Sequence, residues 1–439
     1  MLSIPVSNIK THLTVLEKIG NLGSFREAGF LRASWSDEES AAMAYVRDVG
    51  AEHGLRTKYD GVGNLYLSTP GSGDQVVQVG SHVDTVPFGG NYDGAAGILA
   101  GLEAILAVRK SWPIFSKRLE LVIWRGEESA TFGSVCKGSR AAFGVNDRNI
   151  LLRKFDGRTL EQAIIGQGFD PSFIAECRPA LEQAHIDSIA AYFELHIEQA
   201  RRLEIERKEI GITTSIRGTI RTRFVVTGEA AHSGGTPMGV DYRRDANLAI
   251  ATMQVEMEKL GQQRLAEGAD LVQTVGVLNS DRDYNVQNPA VHENAITKVS
   301  PYGYFTTDVR SNNVSFLEAH MAEIETLFGQ IAERLNVLLS VQRLMFLDPI
   351  AEMDPTLQGV LVEACQESSA SHIKMPSGAL HDAAVVAIHP RGDGTFIPTA
   401  LLFIPCRDGI SHNAREYATP DAIRIGAEVL AVALQSMAS

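Results

Sequence analysis

The sequence predicts a two-domain α/β protein in which an α+β segment is inserted into a larger domain. At 439 residues the chain is too long for one ordinary domain. Val76–Leu106 combines β-branched residues, a glycine-rich turn and apolar residues at helical spacing, the pattern of a strand-to-helix crossover in an open sheet. From about residue 212 the order becomes βαββαβ, as in a ferredoxin-like unit. We therefore expect residues 1–211 and 349–439 to share one sheet and residues 212–348 to form a second domain.

Two helices are predicted at the start of the chain, Val6–Ile19 and Ser36–Gly54. Ser36 is the expected N-cap of the second helix, with Glu39 as its capping-box partner and Gly54 as its end. The elements that follow are the strands Arg56–Tyr59 and Asn64–Ser68, the strand and helix of Val76–Leu106, the strand Leu119–Arg125, an irregular stretch from Thr131 to Asp187 with local helices, and the strand Ile189–His196.

The inserted segment contains two kinds of hydrophobic periodicity, that of strands and that of helices. Arg217–Thr227 alternates as a strand with one exposed face, whereas Phe316–Leu335 repeats as an amphipathic helix. Its full order is strand Arg217–Thr227, helix Arg244–Lys259, strands Asp270–Leu278 and Tyr302–Val309, helix Phe316–Leu335 and strand Leu338–Leu344. The last segment gives a helix Pro355–Glu367, a loop Lys374–Asp382, a strand Ala400–Ile404, a loop Cys406–Glu416 and a helix Pro420–Ser436 with proline in its first turn.

The composition excludes several classes of function. With a formal net charge of −13 the chain lacks the basic face that nucleic acid requires. No run approaches the roughly 18 apolar residues of a membrane helix, and the first residues lack a signal-peptide pattern. The four cysteines are scattered without CxxC spacing, so neither a disulfide framework nor a thiolate zinc site is indicated. We expect a cytoplasmic protein that binds neither nucleic acid nor membrane.

Residues able to bind metal follow several of the predicted strands. Alone, the pair His82 and Asp84 would be a hydrogen-bonded surface couple more often than a metal site. Two-metal hydrolytic sites, however, need a bridging carboxylate and further oxygen and nitrogen ligands on each ion. The candidates that together meet this requirement are His82, Asp84, Asp93, Glu127, Glu128, His196 and His412.

At this point the sequence closely resembles the M20 family of di-metal hydrolases. Within it, the resemblance is to N-carbamoyl-L-amino acid hydrolases, allantoate amidohydrolases and β-ureidopropionases. The matching segments, spread from Gly80 to Tyr417, are GSHVDTVPFGGNYDG, GEES, GSRAAFG, ELHIEQ, GEAAHSGGTPM with RRDA after it, SGALHDA and RDGISHNAREY. The resemblance implies a mixed-sheet catalytic domain that binds two divalent metal ions, and an inserted lid and dimerisation domain.

The resemblance also implies a role for each candidate in the first domain. Asp93 would bridge both ions, His82 and His196 would complete one ion, and Glu128 and His412 the other. Asp84 would orient the imidazole of His82, and Glu127 would be the general base. A carboxylate beside activated water can take a proton from it and deliver that proton to the departing nitrogen.

Substrate recognition is implied for residues of both domains. His232 matches a histidine that stabilises the tetrahedral oxyanion, usually from the partner subunit of a homodimer. Arg310 matches an arginine that grips the substrate carboxylate with a bidentate fork. Gln199 and the turn of Ser377, Gly378 and Ala379 would line the pocket. For His381 and Asp382, catalytic and supporting roles both stay open.

The sequence departs from the family at the substrate-binding positions. The usual asparagine about thirteen residues before the arginine is replaced by Thr297. Either Asn294 or Asn285 supplies the amide instead, or the substrate differs at this point. Ala200 and Leu380 stand where glycines are usual, which adds bulk near the expected pocket. The expected metal ligands and the general base are all present, whereas some of the expected substrate-binding residues differ from those usual in the family.

The function that the sequence predicts is metal-dependent cleavage of a non-peptide C–N bond. The expected substrate is a small carboxylate-bearing molecule, an N-carbamoyl amino acid or a related ureido acid. The alternatives are an aminoacylase, dipeptidase or hydrolytic deaminase of the same family, or a catalytically silent binding protein with the same fold. Imidazole and carboxylate ligands suit zinc, manganese, cobalt or nickel, so the metals stay open.

Overall fold

The chain folds as two compact units in this computed structural model. It describes residues 3–23, 28–71, 73–112, 115–280, 295–347, 350 and 352–439. The first unit comprises Met1–Thr214 and Glu352–Ser439, and the second comprises Ser215–Ala351. Within the described ranges, no helix is long and apolar enough to cross a membrane. The role of the second unit as a lid and dimerisation domain stays a prediction.

The strands and helices are numbered along the chain. The strands are β1 (Arg56–Tyr59), β2 (Leu65–Ser68), β3 (Val76–His82), β4 (Arg118–Trp124), β5 (Lys154–Phe155), β6 (Arg158–Thr159), β7 (Ile189–Ile197), β8 (Ile210–Ile216), β9 (Gly218–Thr227), β10 (Ala231–His232), β11 (Val272–Asn279), β12 (Lys298–Val299), β13 (Tyr302–Ser311), β14 (Leu338–Leu347), β15 (His372–Ser377) and β16 (Thr399–Ile404). The α-helices are α1 (Val6–Leu16), α2 (Asp37–Glu52), α3 (Ala95–Ser111), α4 (Lys137–Ala142), α5 (Leu160–Gly166), α6 (Ser172–Ala175), α7 (Gln183–Ser188), α8 (Arg202–Glu206), α9 (Ala246–Ala266), α10 (Val314–Arg334), α11 (Pro355–Glu367), α12 (Asp382–Ala387) and α13 (Pro420–Ala438).

A mixed eight-stranded sheet forms the centre of the first unit, which confirms the predicted fold class. Its strand order is β1-β2-β4-β3-β7-β16-β8-β15. The central strands β4, β3, β7 and β16 pair in parallel, while β1, β2 and β8 pair antiparallel. The apolar runs that predicted these central strands are buried, because helices such as α3 and α13 cover them.

The parallel centre of the sheet brings several strand ends to one edge. His82 ends β3 and is the register partner of Trp124, which ends β4. His196 lies near the end of β7, opposite Phe403 of β16. Because ligands of open α/β sheets bind outside the carboxyl ends of the strands, this edge is the expected position of the site.

The second unit has the predicted element order βαββαβ. Its four-stranded sheet has the order β11-β13-β9-β14, and all neighbours are antiparallel. Helices α9 and α10 cover one face, where Phe224, Phe305 and Phe328 form the centre of the core. The other face of β9 and β13 carries polar and charged side chains, as the alternation of Arg217–Thr227 predicted.

The N-terminus of α2 shows one correct and one wrong prediction. Ser36 is the N-cap, and its side chain accepts a hydrogen bond from the backbone N–H of Glu39. Glu39 is not the reciprocal capping-box partner, because its carboxylate accepts from the N–H groups of Trp35 and Gly126 and from Arg125. The carboxylate pairs instead with the buried guanidinium of Arg125. The spacing of residues around Ser36 cannot reveal a partner so distant in the sequence.

Two strands of the eight-stranded sheet were not predicted. The segment Lys374–Asp382 was expected to be a loop, but β15 runs through its first part and α12 begins at Asp382. Pro376 hid the strand signal, and proline is tolerated there because β15 lies at the edge of the sheet. Strand β8 was also missed, between the predicted first domain and the insertion.

The buried pair of Arg125 and Glu39 generates a stability prediction. The guanidinium lies 2.7 Å from the carboxylate, and neither side chain is more than 2% exposed. Arg125→Met leaves a buried carboxylate without its cation, so we expect the free energy of unfolding of the first unit to fall by about 3–5 kcal/mol. Urea unfolding followed by circular dichroism measures the change.

The matched control for this prediction is Arg47→Met. Arg47 pairs with Asp48 at 2.7 Å, but these side chains are 38% and 60% exposed. An exposed pair contributes about 0–1 kcal/mol. Equal losses of stability in the two variants would show that burial does not govern the Arg125 pair.

Candidate metal centre

The turn after β3 places Asp93 at the entrance of α3. Gly94 is the residue before the helix, with a φ of 63°. A Cβ atom at Gly94 would lie 2.4 Å from Nε2 of His82. Only glycine therefore allows the backbone to take this left-handed conformation while the imidazole lies against it.

A first group of potential ligands consists of His82, Asp93 and His196. Nε2 of His196 lies 2.8 Å from Oδ1 of Asp93, and Nε2 of His82 lies 3.6 Å from the same oxygen. The two Nε2 atoms are 3.5 Å apart. All three side chains are buried, and their ligand atoms lie within 4.8 Å of one another, close enough for one metal ion to contact all three.

A second group consists of Asp93, Glu128 and His412. Nε2 of His412 lies 3.4 Å from Oδ2 of Asp93 and 3.2 Å from Oε1 of Glu128. The His412 side chain is 51% exposed, so this group opens to solvent. Asp93 thus turns one oxygen to each group. The structure brings the five expected ligands together, while their binding of metal stays a prediction.

Electrostatics in both groups favour positive charge. Hydrogen bonds with Asp93 and Glu128 raise the pKa of His412 to about 11. Burial tends to raise the pKa of Asp93, but the charge of His196 and hydrogen bonds to His196 and His412 hold it well below its usual range. Carboxylates that stay ionised beside imidazole nitrogens fit a divalent cation such as zinc, manganese, cobalt or nickel.

Asp84 lies behind His82, as expected for an orienting residue. Its Oδ1 is 3.2 Å from Nδ1 of His82, so Nε2 of that ring is directed into the first group. The same carboxylate accepts from the backbone N–H groups of Glu127 and Glu128 at 3.0 and 3.2 Å. One fully buried side chain therefore fixes a histidine and the turn that carries two glutamates.

Glu127 belongs to neither ligand group, although Glu128 does. Its side chain is buried, and the thiol of Cys136 donates to its Oε1 at 3.5 Å. Burial raises the pKa of Glu127 well above its usual range, His82 opposes this shift, and Glu128 adds to it. This carboxylate is near the candidate ligands without being grouped with them, which is the position expected of a general base.

Glu416 is a buried residue that our sequence reasoning missed. Its Oε1 accepts from the N–H groups of Tyr92 and Asp93 at 3.0 and 2.9 Å. Its Oε2 accepts from Ser411 Oγ at 3.3 Å and from the N–H of His412 at 3.2 Å. One carboxylate thus joins the two segments that carry Asp93 and His412. The available signal was its place in RDGISHNAREY, four residues after His412.

Gln199 contacts the candidate ligands directly. Its Nε2 donates to Oδ2 of Asp93 at 2.7 Å and to Ser411 Oγ at 3.2 Å. Ser411 Oγ also donates to the same Asp93 oxygen, at 2.8 Å. The pocket-lining role expected for Gln199 stays a prediction. The contact with Asp93 was not expected from the sequence.

The turn Ser377–Ala379 closes on itself, since Ser377 Oγ donates to the Ala379 carbonyl at 2.7 Å and accepts from its N–H at 3.2 Å. Gly378 between them is exposed. In the same segment the ring of His381 lies 4.4 Å from the ring of His196, and Asp382 accepts from Ser139 Oγ at 2.5 Å. These contacts fit the supporting role for both residues. His381 packs against the candidate ligand His196, and Asp382 is hydrogen-bonded to Ser139 rather than to a candidate ligand.

In the second unit, His232 is held in a defined orientation. The backbone N–H groups of Gly234 and Gly235 donate to its Nδ1 at 3.2 and 3.0 Å. In the neutral ring an accepting Nδ1 places the proton on Nε2. Nε2 is therefore a hydrogen-bond donor, and the side chain is exposed.

The other predicted substrate residues of this unit have different surroundings. Arg310 forms a fork with Asp308, through Nε at 3.0 Å and a terminal nitrogen at 2.8 Å. Thr297 is exposed, and its carbonyl accepts from the N–H of Ser233, next to His232. Asn294 and Asn285 lie outside the described residues.

Comparisons with known proteins show which proteins the chain resembles. Residues 79–436 match the peptidase family M20/M25/M40. The ureidoglycolate hydrolase of Arabidopsis thaliana is 30% identical over 436 residues, covering 96% of this chain and 85% of that protein. The N-carbamoyl-L-amino acid amidohydrolase of Geobacillus stearothermophilus is 30% identical over 420 residues, covering 94% and 95%. A solved hydantoinase/carbamoylase family amidase from Burkholderia multivorans is 29% identical, with a TM-score of 0.83 and coverage of 100% and 98%.

Glu416 generates a prediction about metal affinity. Glu416→Gln turns an amide NH₂ toward backbone N–H donors and so loosens the segments of Asp93 and His412. We expect metal affinity to fall about 10- to 100-fold, most for the ion held through His412. Competition with a chromophoric chelator, with metal content by mass spectrometry, measures each ion.

The control is Glu209→Gln, another carboxylate that accepts a backbone N–H, from Ser371 at 2.8 Å. This residue lies in a different segment from the candidate ligands and should bind metal like the wild type. Wild-type affinity in Glu416→Gln would remove Glu416 from the support of the site.

Proposed function

The chain belongs to the M20/M25/M40 peptidase family, and from this premise we propose that it is a metal-dependent amidohydrolase. It cleaves a non-peptide C–N bond of a small carboxylate-bearing substrate, an N-carbamoyl amino acid or a related ureido acid. The observation that carries the proposal is the sharing of Asp93 between two ligand groups, with the buried carboxylate of Glu127 outside both. Two relatives are a ureidoglycolate hydrolase and an N-carbamoyl-L-amino acid amidohydrolase, and their names support the proposed bond type.

The five side chains His82, Asp93, Glu128, His196 and His412 would hold two divalent ions. Such ions, when bound, polarise a carbonyl group and lower the pKa of water. Imidazole and carboxylate donors, with one group open to solvent through His412, fit a hydrolytic rather than a closed structural site. Asp84 keeps His82 in the orientation that this binding needs.

Glu127 is proposed as the general base and then the general acid. An amide nitrogen leaves poorly unless it is protonated, so one residue must accept a proton from water and pass it on. Glu127 is suited to both steps because it is buried beside the ligands without being one of them. Its backbone is fixed by the bond from its N–H to Asp84.

His232 and Arg310 are proposed to act on the substrate from the second unit. The Nε2 donor of His232 is suited to the oxyanion of a tetrahedral intermediate. The fork of Arg310 is suited to a carboxylate, as its pairing with Asp308 illustrates. Thr297 or Asn294 would complete this recognition, together with Gln199 and the Ser377–Ala379 turn.

We further propose that the enzyme is a homodimer in the cytoplasm. His232 would act in the site of the partner subunit, through dimerisation of the second unit. That unit exposes apolar side chains that a second copy would cover, among them Val255 on α9 and Leu278 on β11. All four cysteines are free thiols, as is usual in a reducing compartment.

The function is tested by an activity screen that includes the Glu127→Gln variant. Metal-loaded wild-type protein should release ammonia and a free amino acid from N-carbamoyl amino acids faster than it cleaves N-acyl amino acids, dipeptides or aromatic amines. Glu127→Gln should lower kcat at least about 10²- to 10⁴-fold, because proton transfer is lost. Its metal content should stay near that of the wild type.

Two results would contradict this proposal separately. Preference for acyl or dipeptide substrates would replace the carbamoyl assignment while leaving the hydrolase intact. Retained turnover in Glu127→Gln would remove the general-base assignment. Glu182→Gln, which alters an exposed carboxylate paired with Lys58, is the control for the substitution itself.

Action of His232 across a dimer is tested by mixing two inactive variants. Glu127→Gln and His232→Ala homodimers are each expected to be inactive. After dissociation and random reassociation, half of the dimers pair one of each chain, and one of their two sites is intact, which restores about a quarter of wild-type activity. Size-exclusion chromatography with light scattering verifies the dimer, and a mixture without recovered activity would place His232 in its own subunit's site or outside catalysis.

A further inference from the structure

Cys136 is a buried residue of the first unit to which the proposed mechanism gives no role. It is the residue before helix α4, and its side chain is fully buried. Its backbone lies in the left-handed region, with a φ of 52° and a ψ of 41°. Residues with a Cβ atom are uncommon in this region, whereas glycine adopts it without strain. The chain therefore keeps a side chain where the backbone conformation alone would favour glycine.

Cys136 contacts Glu127 through both its backbone and its side chain. The N–H of Cys136 donates to the carbonyl of Glu127 at 2.7 Å. The thiol of Cys136 donates to Oε1 of the same glutamate at 3.5 Å. The next N–H group, that of Lys137, donates to the carbonyl of Gly126 at 3.0 Å. The start of α4 is thus fixed against the turn that carries the proposed general base.

The thiol is the one hydrogen-bond donor to the Glu127 carboxylate among the residues that the structure describes. The backbone of Glu127 is already fixed, because its N–H donates to Asp84 and its carbonyl accepts from Cys136. The side-chain torsions of a glutamate can still change, and the terminal torsion has a broad distribution. The bond from the thiol therefore distinguishes the two carboxylate oxygens, since it engages Oε1 and leaves Oε2.

The surroundings of Cys136 keep its thiol protonated, as a hydrogen-bond donor has to be. Burial raises the pKa of Cys136 well above its usual range, and the charges of Glu127 and Asp382 add to this shift. The thiolate is the nucleophilic form of cysteine, so a buried thiol with a raised pKa is unreactive. The S–H group is then a hydrogen-bond donor and not a nucleophile.

We propose that Cys136 is a positioning residue, whose thiol holds Oε1 of Glu127 so that Oε2 is the oxygen that accepts and delivers the proton. This inference rests on the proposed function, in which Glu127 is the general base. A base has to lie within about 2.6–3.2 Å of the atom whose proton it takes. A displacement of about 1 Å can lower the rate about 10²-fold. Cys136 acts on the reaction only through the orientation of Glu127.

Two substitutions of Cys136 separate a donor from a residue that only fills space. Cys136→Ala removes the donor and should lower kcat about 10- to 100-fold, as for the loss of a hydrogen bond to a charged group. KM and metal content should stay near those of the wild type. Cys136→Ser keeps a donor and should retain most of the wild-type kcat. For a residue that only packs, serine would be the worse replacement, because a buried hydroxyl group without a partner is costly.

Two results of this comparison overturn the proposal. One is a wild-type kcat in Cys136→Ala, and the other is a lower kcat in Cys136→Ser than in Cys136→Ala. Circular dichroism of each variant verifies that the protein is folded.

The matched control is Cys365, a buried thiol of α11 in the apolar core of the first unit. Cys365→Ala and Cys365→Ser should both keep the wild-type kcat. An equal loss of kcat in Cys365→Ala and Cys136→Ala would show that the loss does not depend on the contact with Glu127.

A double variant shows whether Cys136 acts through Glu127. In the Glu127→Gln protein the carboxylate is absent, so Cys136→Ala should leave the residual kcat unchanged. A further loss as large as the loss in the wild-type background would assign Cys136 to the packing of the site and overturn the positioning role.

Infrared spectroscopy of the metal-loaded protein supplies a readout without turnover. The S–H stretching band of each thiol is identified as the band that its alanine variant loses. The Cys136 band should lie at a lower frequency than the Cys365 band, because hydrogen bonding weakens the S–H bond. Glu127→Met removes the acceptor and should shift the Cys136 band to a higher frequency. A Cys136 band that Glu127→Met leaves unchanged overturns the contact.

These results separate the inference from the proposed function. A wild-type kcat in Cys136→Ala, beside an inactive Glu127→Gln, rejects the positioning role while the general base stands. A hydrogen-bonded thiol in a protein that cleaves no carbamoyl substrate supports the contact and rejects the proposed function.

Discussion

The shared carboxylate of Asp93 is the interaction on which the first unit's site depends. Its two oxygens face different imidazoles, His196 on one side and His412 on the other. An ionised carboxylate is costly to bury unless it is paired and hydrogen-bonded. The strand ends and loops that carry these groups therefore have to come together as one unit. Gly94 permits the close approach of His82, and Glu416 holds the backbone of Asp93 and His412.

Buried cations support this arrangement from the protein interior. Arg32 donates to the Val83 carbonyl at 2.6 Å and to Asn91 at 2.8 Å, on the two sides of the turn between Asp84 and Asp93. Lys137 donates to the carbonyls of Glu128 and Ser134. These cations offset part of the carboxylate charge while they fix the backbone that carries the ligands. Arg125 pairs with Glu39, and the same carboxylate accepts a hydrogen bond from the backbone N–H of Gly126.

The sequence predicted the features that follow from hydrophobic periodicity and from the order of the strands along the chain. Apolar runs identified the central strands, and the parallel arrangement then required His82 and His196 to lie at one edge. The sequence did not predict which partner each polar side chain takes. Glu39 bonds Arg125 rather than closing a capping box, and Arg310 forms a fork with Asp308. Such choices depend on which distant segments the fold brings together, and local spacing carries no information about them.

The same structure explains why bond type and substrate choice are separate problems. The cations that surround the first unit's carboxylates, Arg32, Arg125 and Lys137, are no more than 2% exposed and bond to the chain itself. Cations so deeply buried cannot meet a carboxylate that arrives from solvent. Under the proposed function, recognition of an acidic substrate would use more exposed cations, such as Arg310 of β13. Under the proposed function, the candidate metal ligands would determine which bond is cleaved, and Arg310 would contribute to the choice of substrate.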